Sequence, residues 1–338
     1  MREIINENGE IVIEALPDNI EIIDSYIKTK PKIQGYYQNI TVSVSGGADS
    51  DIIVDIISKL DKDHKVRYIF FDTGLEYEAT KEHLKYLEEK YNITIEPIKA
   101  VKPIPVCCKE YGQPFVSKYV SIMIERLQRY NFKWEDKSFD ELYKEYPKCK
   151  SALMWWTNEW GKGTNLANEK SRFNIARNPY LKEFLLQNPP TFKISDRCCN
   201  YAKKNVAKRF QRKNKIDLAI NGVRKIEGGV RASAYKSCFT TREDKWDEYR
   251  PIFWYTNDTK ELYERFFHIT HSDCYTKYGL KRTGCAGCPF GRNFEDELKV
   301  IKEHEPQLYK AVNHIFKESY EYTRKYRAFQ KEMKEKIN

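Results

Sequence analysis

The sequence predicts an α/β protein: a parallel sheet flanked by helices, with a helical insertion and a cysteine-rich C-terminal region. Two observations predict the sheet. From residue 39 onward, short segments rich in β-branched residues alternate with longer segments whose apolar residues recur at helical spacing. Polar turns containing glycine follow the first two short segments directly. Such alternation implies right-handed crossovers, and therefore a parallel sheet that binds ligands at the carboxyl ends of its strands.

The predicted elements follow one another without a long linker. Strands are expected over 40–44, 66–71 and 93–98, and the helix between the last two runs over 78–91. A fourth strand is expected over 218–220. Residues that follow these strands should therefore meet at one edge of the sheet.

The composition is that of a globular protein with an excess of positive charge. The 338 residues are 41% hydrophobic and 14% aromatic, which is ample for a core, and the formal net charge is +10. That charge favours anionic partners without choosing among nucleotides, nucleic acids and acidic proteins. Since no apolar stretch is long enough for a membrane span or a signal peptide, a cytoplasmic protein with reduced cysteines is expected, without a membrane partner.

A glycine turn joins the first strand to the first helix. Its sequence is Ser-Gly-Gly-Ala-Asp-Ser over residues 45–50. The glycines let the backbone approach a phosphate closely, and the positive end of the helix dipole then faces the anion. The alternative is an ordinary turn in which Asp49 or Ser50 caps the helix. The residues predicted to bind phosphate are Ser45, Gly46, Gly47, Asp49 and Ser50.

Two further polar motifs follow later strands. Asp72, Thr73, Gly74 and Glu76 come directly after the second strand, where the carboxylates offer acceptors to ribose hydroxyls or a metal. The fourth strand leads to Gly222-Val223-Arg224, followed by Glu227 and Arg231. Arginines at this spacing are suited to clamp phosphate or sulfate oxygens. In the alternative interpretation Glu227 simply pairs with one of the arginines.

Four cysteines have the pattern of a soft-metal site. Cys198 and Cys199 are adjacent, and Cys285 and Cys288 form a CxxC unit. Four thiolates suit zinc or an iron–sulfur cluster. Cys238 or Cys274 could replace one ligand. The remaining cysteines are expected to be buried thiols unrelated to this site: Cys107, Cys108 and Cys149.

These motifs resemble the PP-loop superfamily of adenine nucleotide α-hydrolases, and within it the phosphoadenosine phosphosulfate reductase branch. The turn at 45–50 matches the SGGxDS signature, and residues 72–76 match the DTGxE element. The arginine loop is similar to the GxRxxES element, with Gly228 where serine is usual. The cysteine pattern resembles that of assimilatory adenylylsulfate reductases and of DNA phosphorothioation ATP pyrophosphatases. The resemblance implies a HUP-like sheet and a [4Fe-4S] cluster, with zinc as the alternative.

The motifs and the resemblance together divide the chain into four segments. Residues 1–110 are expected to form a nucleotide-binding core, and 111–190 a helical insertion in which Trp155 and Trp156 pack into a core. Residues 191–250 continue the nucleotide-binding core with the first cysteine pair and the arginine loop. Residues 251–338 form the cysteine-rich region and the C-terminal helices.

Within the family, two features favour an ATP pyrophosphatase over a sulfonucleotide reductase. The reductases carry a nucleophilic thiol near the C-terminus, and this sequence has no cysteine after Cys288. The phosphate loop is also complete, as expected where a β,γ-pyrophosphate must be held. The resemblance therefore implies ATP cleavage between the α and β phosphates with Mg²⁺, coupled to sulfur transfer or modification.

The predicted catalytic residues are Asp49, Arg224 and Arg231, and the metal ligands are Cys198, Cys199, Cys285 and Cys288. Nucleic acids and sulfur-carrier proteins are candidate partners, since the net charge is positive. The alternatives are a reductase whose nucleophile is Cys107, Cys108 or Cys238, and a nucleotide-binding module without turnover.

Overall fold

The computed structural model describes residues 4–164, 168, 171–228, 234–243 and 245–336. These residues form two compact units. Unit 1 comprises residues 1–101 and 202–286, and unit 2 comprises residues 102–201 and 287–338.

The strands, all in unit 1, are β1 (Ile40–Ser43), β2 (Arg67–Asp72), β3 (Ile95–Lys99), β4 (Leu218–Ile220), β5 (Phe239–Thr240) and β6 (Asp247–Tyr249). The helices in the first half of the chain are α1 (Ile20–Gln34), α2 (Ala48–Leu60), α3 (Glu78–Tyr91), α4 (Ile104–Tyr111), α5 (Lys118–Arg129), α6 (Phe139–Glu145) and α7 (Lys150–Trp156). Those in the second half are α8 (Leu181–Gln187), α9 (Arg197–Cys199), α10 (Asn205–Lys213), α11 (Asn257–Phe266), α12 (Asp273–Thr276), α13 (Phe294–His304), α14 (Pro306–Ile315) and α15 (Lys317–Glu335).

The sheet of unit 1 has the strand order β3-β2-β1-β4-β6-β5. All neighbouring strands are parallel except β5 and β6, which are antiparallel. The predicted α/β class and HUP-like sheet are confirmed. Because the chain proceeds from β1 to β2 on one side and later returns to β4 on the other, the order of strands reverses at β1. Ligands of such sheets bind at the carboxyl edge beside that reversal.

The predicted elements agree with the structure to within a few residues. Helix α3 and strand β4 have the predicted bounds, while α2 begins earlier than its apolar run because Ala48, Asp49 and Ser50 form its first turn. Its apolar residues, including Ile52, Ile53 and Ile56, are fully buried. Burial of this face against the sheet fixes the position of the glycine turn.

Unit 2 contains the helices of the predicted insertion and of the C-terminus. Trp155 and Trp156 are fully buried in its core, so their predicted packing role is confirmed. The segment between α7 and α8 differs from the helical expectation: among its described residues the regular element is a single 3₁₀ turn, Ile175–Arg177. Gly161 and Gly163 both have positive φ angles, which a helix does not accommodate.

Candidate functional site

Three predicted motifs lie at the carboxyl edge of the sheet. They follow β2, β1 and β4, which are adjacent in that order. The expectation that the first two motifs converge is therefore confirmed, and the arginine loop lies on the other side of the phosphate loop. The backbone at Gly222 passes so close to Asp49 that an added Cβ would lie 3.2 Å from the Asp49 carbonyl carbon.

The phosphate loop, residues 45–50, is stabilised by its own serines. The Ser50 hydroxyl donates to the Gly47 carbonyl at 2.8 Å, and the Ser45 amide donates to the Ser50 Oγ at 3.3 Å. Helix α2 has Gly47 as its N-cap residue, without a side-chain capping bond. The alternative in which Asp49 or Ser50 caps the helix is therefore wrong. The helix instead presents a backbone N-terminus, which favours anions.

Gly46 is required by both conformation and space. Its φ is +66°, and a Cβ at this position would lie 2.7 Å from the Thr80 Cγ2. A left-handed conformation costs a non-glycine residue about 1–2 kcal/mol, and the contact with Thr80 adds to that cost. Glycine is therefore the residue that keeps the loop in this shape.

We expect Gly46→Ala to weaken ATP binding at least about tenfold, because about 1.4 kcal/mol of distortion suffices for that change. Titration calorimetry with ATP measures it. The double variant Gly46→Ala/Thr80→Ser lacks the clashing methyl group and should recover part of the loss. Unchanged affinity in the single variant would contradict the assignment of this loop.

A tyrosine and a threonine that sequence reasoning missed lie against the phosphate loop. The Tyr275 hydroxyl accepts a hydrogen bond from the Ala48 amide at 3.3 Å and another from the Thr283 amide at 3.2 Å. A Cβ on Gly47 would lie 3.2 Å from the Thr283 Oγ1 and 3.3 Å from the Tyr275 hydroxyl. Two further hydroxyl groups therefore lie beside the predicted phosphate loop.

Asp49 is paired with two cations. Its Oδ1 lies 3.0 Å from the Arg224 Nε and 3.2 Å from the Lys260 Nζ. The Arg224 Nε–H is not aligned for a hydrogen bond with this oxygen, so the pairing is electrostatic. The Arg224 Nη1 donates instead to the Asn257 Oδ1 at 3.1 Å. Asp49 therefore holds two positive side chains beside the phosphate loop.

A chain of charged groups continues from Lys260 into the core of unit 1. Lys260 lies 3.4 Å from Glu264, and Glu264 accepts from the His271 Nε2 at 2.9 Å. The other ring nitrogen of His271 lies 2.7 Å from Asp51, which is fully buried and also lies 3.0 Å from the His83 Nε2. Burial by itself would lower the pKa of His271, but the bonds to Asp51 and Glu264 raise that pKa to about 9. His271 therefore contacts the first turn of α2 through Asp51, although it lies outside every motif of the sequence.

The motif after β2 uses its carboxylates to shape its own turn. The Gly74 amide donates to Asp72 at 2.8 Å, and the Thr73 amide donates to Glu76 at 2.9 Å. Gly74 has a φ of +79°. Glu227 acts similarly in the arginine loop, where it accepts from the Arg224 amide at 2.9 Å. Arg231 lies outside the described residues.

The first cysteine of the CxxC unit lies beside the motif after β2. The Thr73 hydroxyl approaches the Cys285 Sγ at 3.9 Å, and the Ala286 amide donates to the Leu75 carbonyl at 3.1 Å. Cys274, also in unit 1, is buried, with its sulfur 3.6 Å from the Thr80 hydroxyl.

In unit 2, a cysteine that was expected to be an unrelated buried thiol joins the predicted ligands. A hydrogen bond with Cys108 is the main reason that the pKa of Cys198 is raised, and Cys199 and Cys288 also interact with Cys198. Hydrogen bonding to Cys198 likewise raises the pKa of Cys199. Within the described residues, no three His, Cys, Asp or Glu side chains have the arrangement of a metal-ion site.

Comparison with known proteins agrees with the motifs. Residues 39–151 match the family model of the phosphoadenosine phosphosulfate reductase domain. The resemblance to this branch of the PP-loop superfamily is therefore confirmed over that part of the chain. Among curated protein sequences, none matches this chain.

Two solved structures are similar to the chain at low sequence identity. One is the phosphoadenylyl-sulfate reductase from Candida auris in its phosphate complex, with 13% identity and a TM-score of 0.43, covering 83% of this chain and 96% of that one. The other is the U34-tRNA thiolase NcsA from Methanococcus maripaludis with its [4Fe-4S] cluster, with 14% identity and a TM-score of 0.37, covering 98% of this chain and 89% of that one. None of the helices in the described ranges is long and apolar enough to span a membrane.

Proposed function

We propose that this protein binds ATP at residues 45–50 and cleaves it between the α and β phosphates, forming an adenylated acceptor and pyrophosphate. The observation that carries the proposal is the complete phosphate loop at the carboxyl edge of the sheet, with Asp49 paired to Arg224 and Lys260. A loop of this kind provides donors for the pyrophosphate, and the two cations beside Asp49 would stabilise the negative charge that develops during cleavage.

The proposed roles follow from position. The α2 N-terminus and the Ser45 and Ser50 hydroxyls hold the pyrophosphate, and Mg²⁺, when bound, neutralises its charge. Arg224, and by resemblance Arg231, stabilises the charge at the α phosphorus while the acceptor forms a bond there and the bond to the leaving oxygen breaks. Asp49 keeps Arg224 and Lys260 directed toward the loop. Asp72 and Glu76 keep the turn after β2 in shape beside the nucleoside.

A sulfonucleotide reductase remains the alternative activity, in which a thiol attacks the sulfur of adenylylsulfate or its 3′-phosphorylated form and sulfite is released. One candidate nucleophile is disfavoured, since burial raises the pKa of Cys107 to about 11 and the thiolate is the reactive form. Cys108 and Cys238 stay candidates. A nucleotide-binding module without turnover would release neither product.

One assay separates the three functions. The protein is incubated with single-stranded DNA and RNA as candidate acceptors and with a thiol reductant, and then with ATP and Mg²⁺, with adenylylsulfate or with its 3′-phosphorylated form. Release of pyrophosphate from ATP supports the proposal, whereas release of sulfite supports the reductase. Nucleotide binding by calorimetry with neither product identifies the binding module. Absence of binding to all three would refute the proposed site.

We further propose that Cys198, Cys199, Cys285 and Cys288 hold a [4Fe-4S] cluster, with zinc as the alternative. The donor set fits, since thiolates are the usual ligands of both, and Cys198 interacts with Cys199 and Cys288. Such a group would organise the backbone around its ligands, and we assign it no step of the reaction.

Protein purified without oxygen is expected to contain about four irons per chain and to show broad visible absorption that bleaches on reduction. Cys198→Ser should remove most of the iron. Cys149→Ser is the matched control, because Cys149 is a buried thiol that contacts the Arg126 carbonyl instead. Colourless protein with about one zinc per chain would identify the alternative, and metal-free protein would contradict both.

A further inference from the structure

Helix α10 and the residues beside it carry a concentration of unpaired positive charge. Five basic side chains here are exposed and form no ion pair with a described residue: Lys204, Lys208, Arg209, Arg212 and Lys213. The sequence of α10, Asn-Val-Ala-Lys-Arg-Phe-Gln-Arg-Lys, contains no acidic residue. The charges of this surface are therefore not neutralised by carboxylates of its own helix.

Other surface helices of unit 1 behave differently. Lys28 pairs with Asp24 on α1, Lys81 with Glu78 on α3, and Lys277 with Asp273 close to α12. Pairs of this kind are what a solvated helix face uses to balance its charge. Their absence on α10 separates this helix from an ordinary solvated surface.

A groove runs between α10 and the edge strand β3. It encloses about 480 Å³. Its apolar floor contains Ile98, Val206 and Phe210, with the exposed Val101 at one side. The cations that line it are Lys99, Arg209, Arg212 and Lys213. We call these eight residues the basic groove.

The acidic residue at the basic groove does not offset these cations. Glu96 forms a salt bridge with Arg67, with 2.7 Å between its Oε2 and the Arg67 Nη2. The Arg67 guanidinium also lies over the Phe210 ring, 4.9 Å from its centroid. The free charge that faces the groove is therefore positive.

The basic groove ends beside the proposed nucleotide site. Lys99, the last residue of β3, is in register with Asp72, and the Ala100 amide donates to the Asp72 carbonyl at 2.9 Å. Asp72 begins the motif after β2, so a long ligand in the groove could reach the carboxyl edge of the sheet. An extended acceptor would be presented to the nucleotide in this way.

We propose that the basic groove binds a single-stranded segment of nucleic acid and that this segment is the acceptor class of the proposed reaction. Phosphates would contact the cations of α10, and a base would rest against Ile98 and the exposed Val101, an apolar contact that an acidic peptide would not need. The reaction part of this inference rests on the proposed ATP chemistry, whereas binding does not.

The test is fluorescence anisotropy with labelled single-stranded DNA and RNA of mixed sequence, about 20 nucleotides long, measured without ATP over a range of salt concentrations. The variant is Arg209→Ala/Arg212→Ala/Lys213→Ala, all exposed positions. We expect its Kd for the oligonucleotides to rise about ten- to hundredfold at low salt. The plot of log K against log salt should become less steep, its negative slope decreasing in magnitude by about two, as loss of three phosphate contacts predicts.

Two controls make the result specific. Lys28→Ala/Lys81→Ala/Lys277→Ala removes the same charge from other exposed positions of unit 1 and should leave the Kd within about twofold. Val101→Ser, which removes apolar surface at the side of the groove without adding charge, should weaken binding of the oligonucleotides more than binding of heparin. Three results would overturn the inference: no oligonucleotide binding by the unaltered protein, equal losses in both triple variants, or an equal effect of Val101→Ser on binding of oligonucleotides and of heparin. Pyrophosphate release from ATP by the unaltered protein, measured with and without the oligonucleotide, reports on the proposed function, whereas binding measured without ATP reports on the basic groove.

Discussion

Asp49→Ala is expected to lower the rate of pyrophosphate release from ATP about 100- to 1,000-fold while the Kd for ATP stays the same or decreases. Asp49 holds Arg224 and Lys260 beside the phosphate loop at 3.0 and 3.2 Å. Without the carboxylate these cations lose their orientation, and misplaced transition-state charge stabilisation typically costs two to three orders of magnitude. Binding of the nucleotide does not suffer, because a negative charge near its phosphates has been removed.

The measurement is initial-rate pyrophosphate release at saturating ATP, together with calorimetry of ATP binding. Asp63→Ala is the matched control, because it removes the same charge from an exposed turn. Its kinetic constants should equal those of the unaltered protein. If Asp49→Ala retained full turnover, the cations would not depend on this carboxylate, and the proposed role of Asp49 would be wrong.

The sequence predicted those parts of the site whose signals are local. The turn at 45–50 and the motif at 72–76 each lie directly after a strand. Their residue types indicate ligand binding, and the periodicity of the preceding strands indicates the edge of the sheet at which they lie. Strand β4 was also recognisable, because three apolar residues precede the glycine of the arginine loop. A ligand edge formed by neighbouring strands follows from these features and from parallel topology.

The residues that sequence reasoning missed come from one later segment. These residues lie within the segment expected to be the cysteine-rich region: Lys260, Glu264, His271, Tyr275 and Thr283. They reach the phosphate loop only through tertiary packing: Tyr275 bonds to Ala48 across 227 positions of sequence. No local pattern marks such contacts. A histidine eleven residues after a lysine follows no spacing rule, since Lys260 lies on helix α11 and His271 lies in the segment between α11 and α12.

The carboxylates after β2 show a second limit of local motifs. Asp72 and Glu76 were expected to offer acceptors to a ribose or a metal. In the structure their oxygens accept backbone amides of the same turn, from Gly74 and Thr73 respectively. A carboxylate oxygen can accept more than one bond, so nucleoside contact stays a proposal. The sequence identified the position of the motif but not how its charges are used.

The buried Asp51 should make the stability of unit 1 depend on pH in the alkaline range. Hydrogen bonds to Asp51 and Glu264 raise the pKa of His271 to about 9, above its value in an unfolded chain. A raised folded-state pKa contributes stability that is fully present below about pH 6.5 and is lost as the pH rises through 9. We expect a contribution of about 3 kcal/mol at pH 6.

Asp51→Asn should therefore lower the free energy of unfolding by about 3–5 kcal/mol at pH 6, because two histidines lose their buried anionic partner. At pH 9 the loss should be clearly smaller, since deprotonated His271 no longer needs that charge. Urea denaturation at pH 6, 7.5 and 9 measures both. His314→Gln, which alters an exposed histidine, should keep the pH profile of the unaltered protein. Parallel profiles for Asp51→Asn and the unaltered protein would show that Asp51 and His271 are not coupled, and would remove the basis for linking the core of unit 1 to the phosphate loop through Glu264 and Lys260.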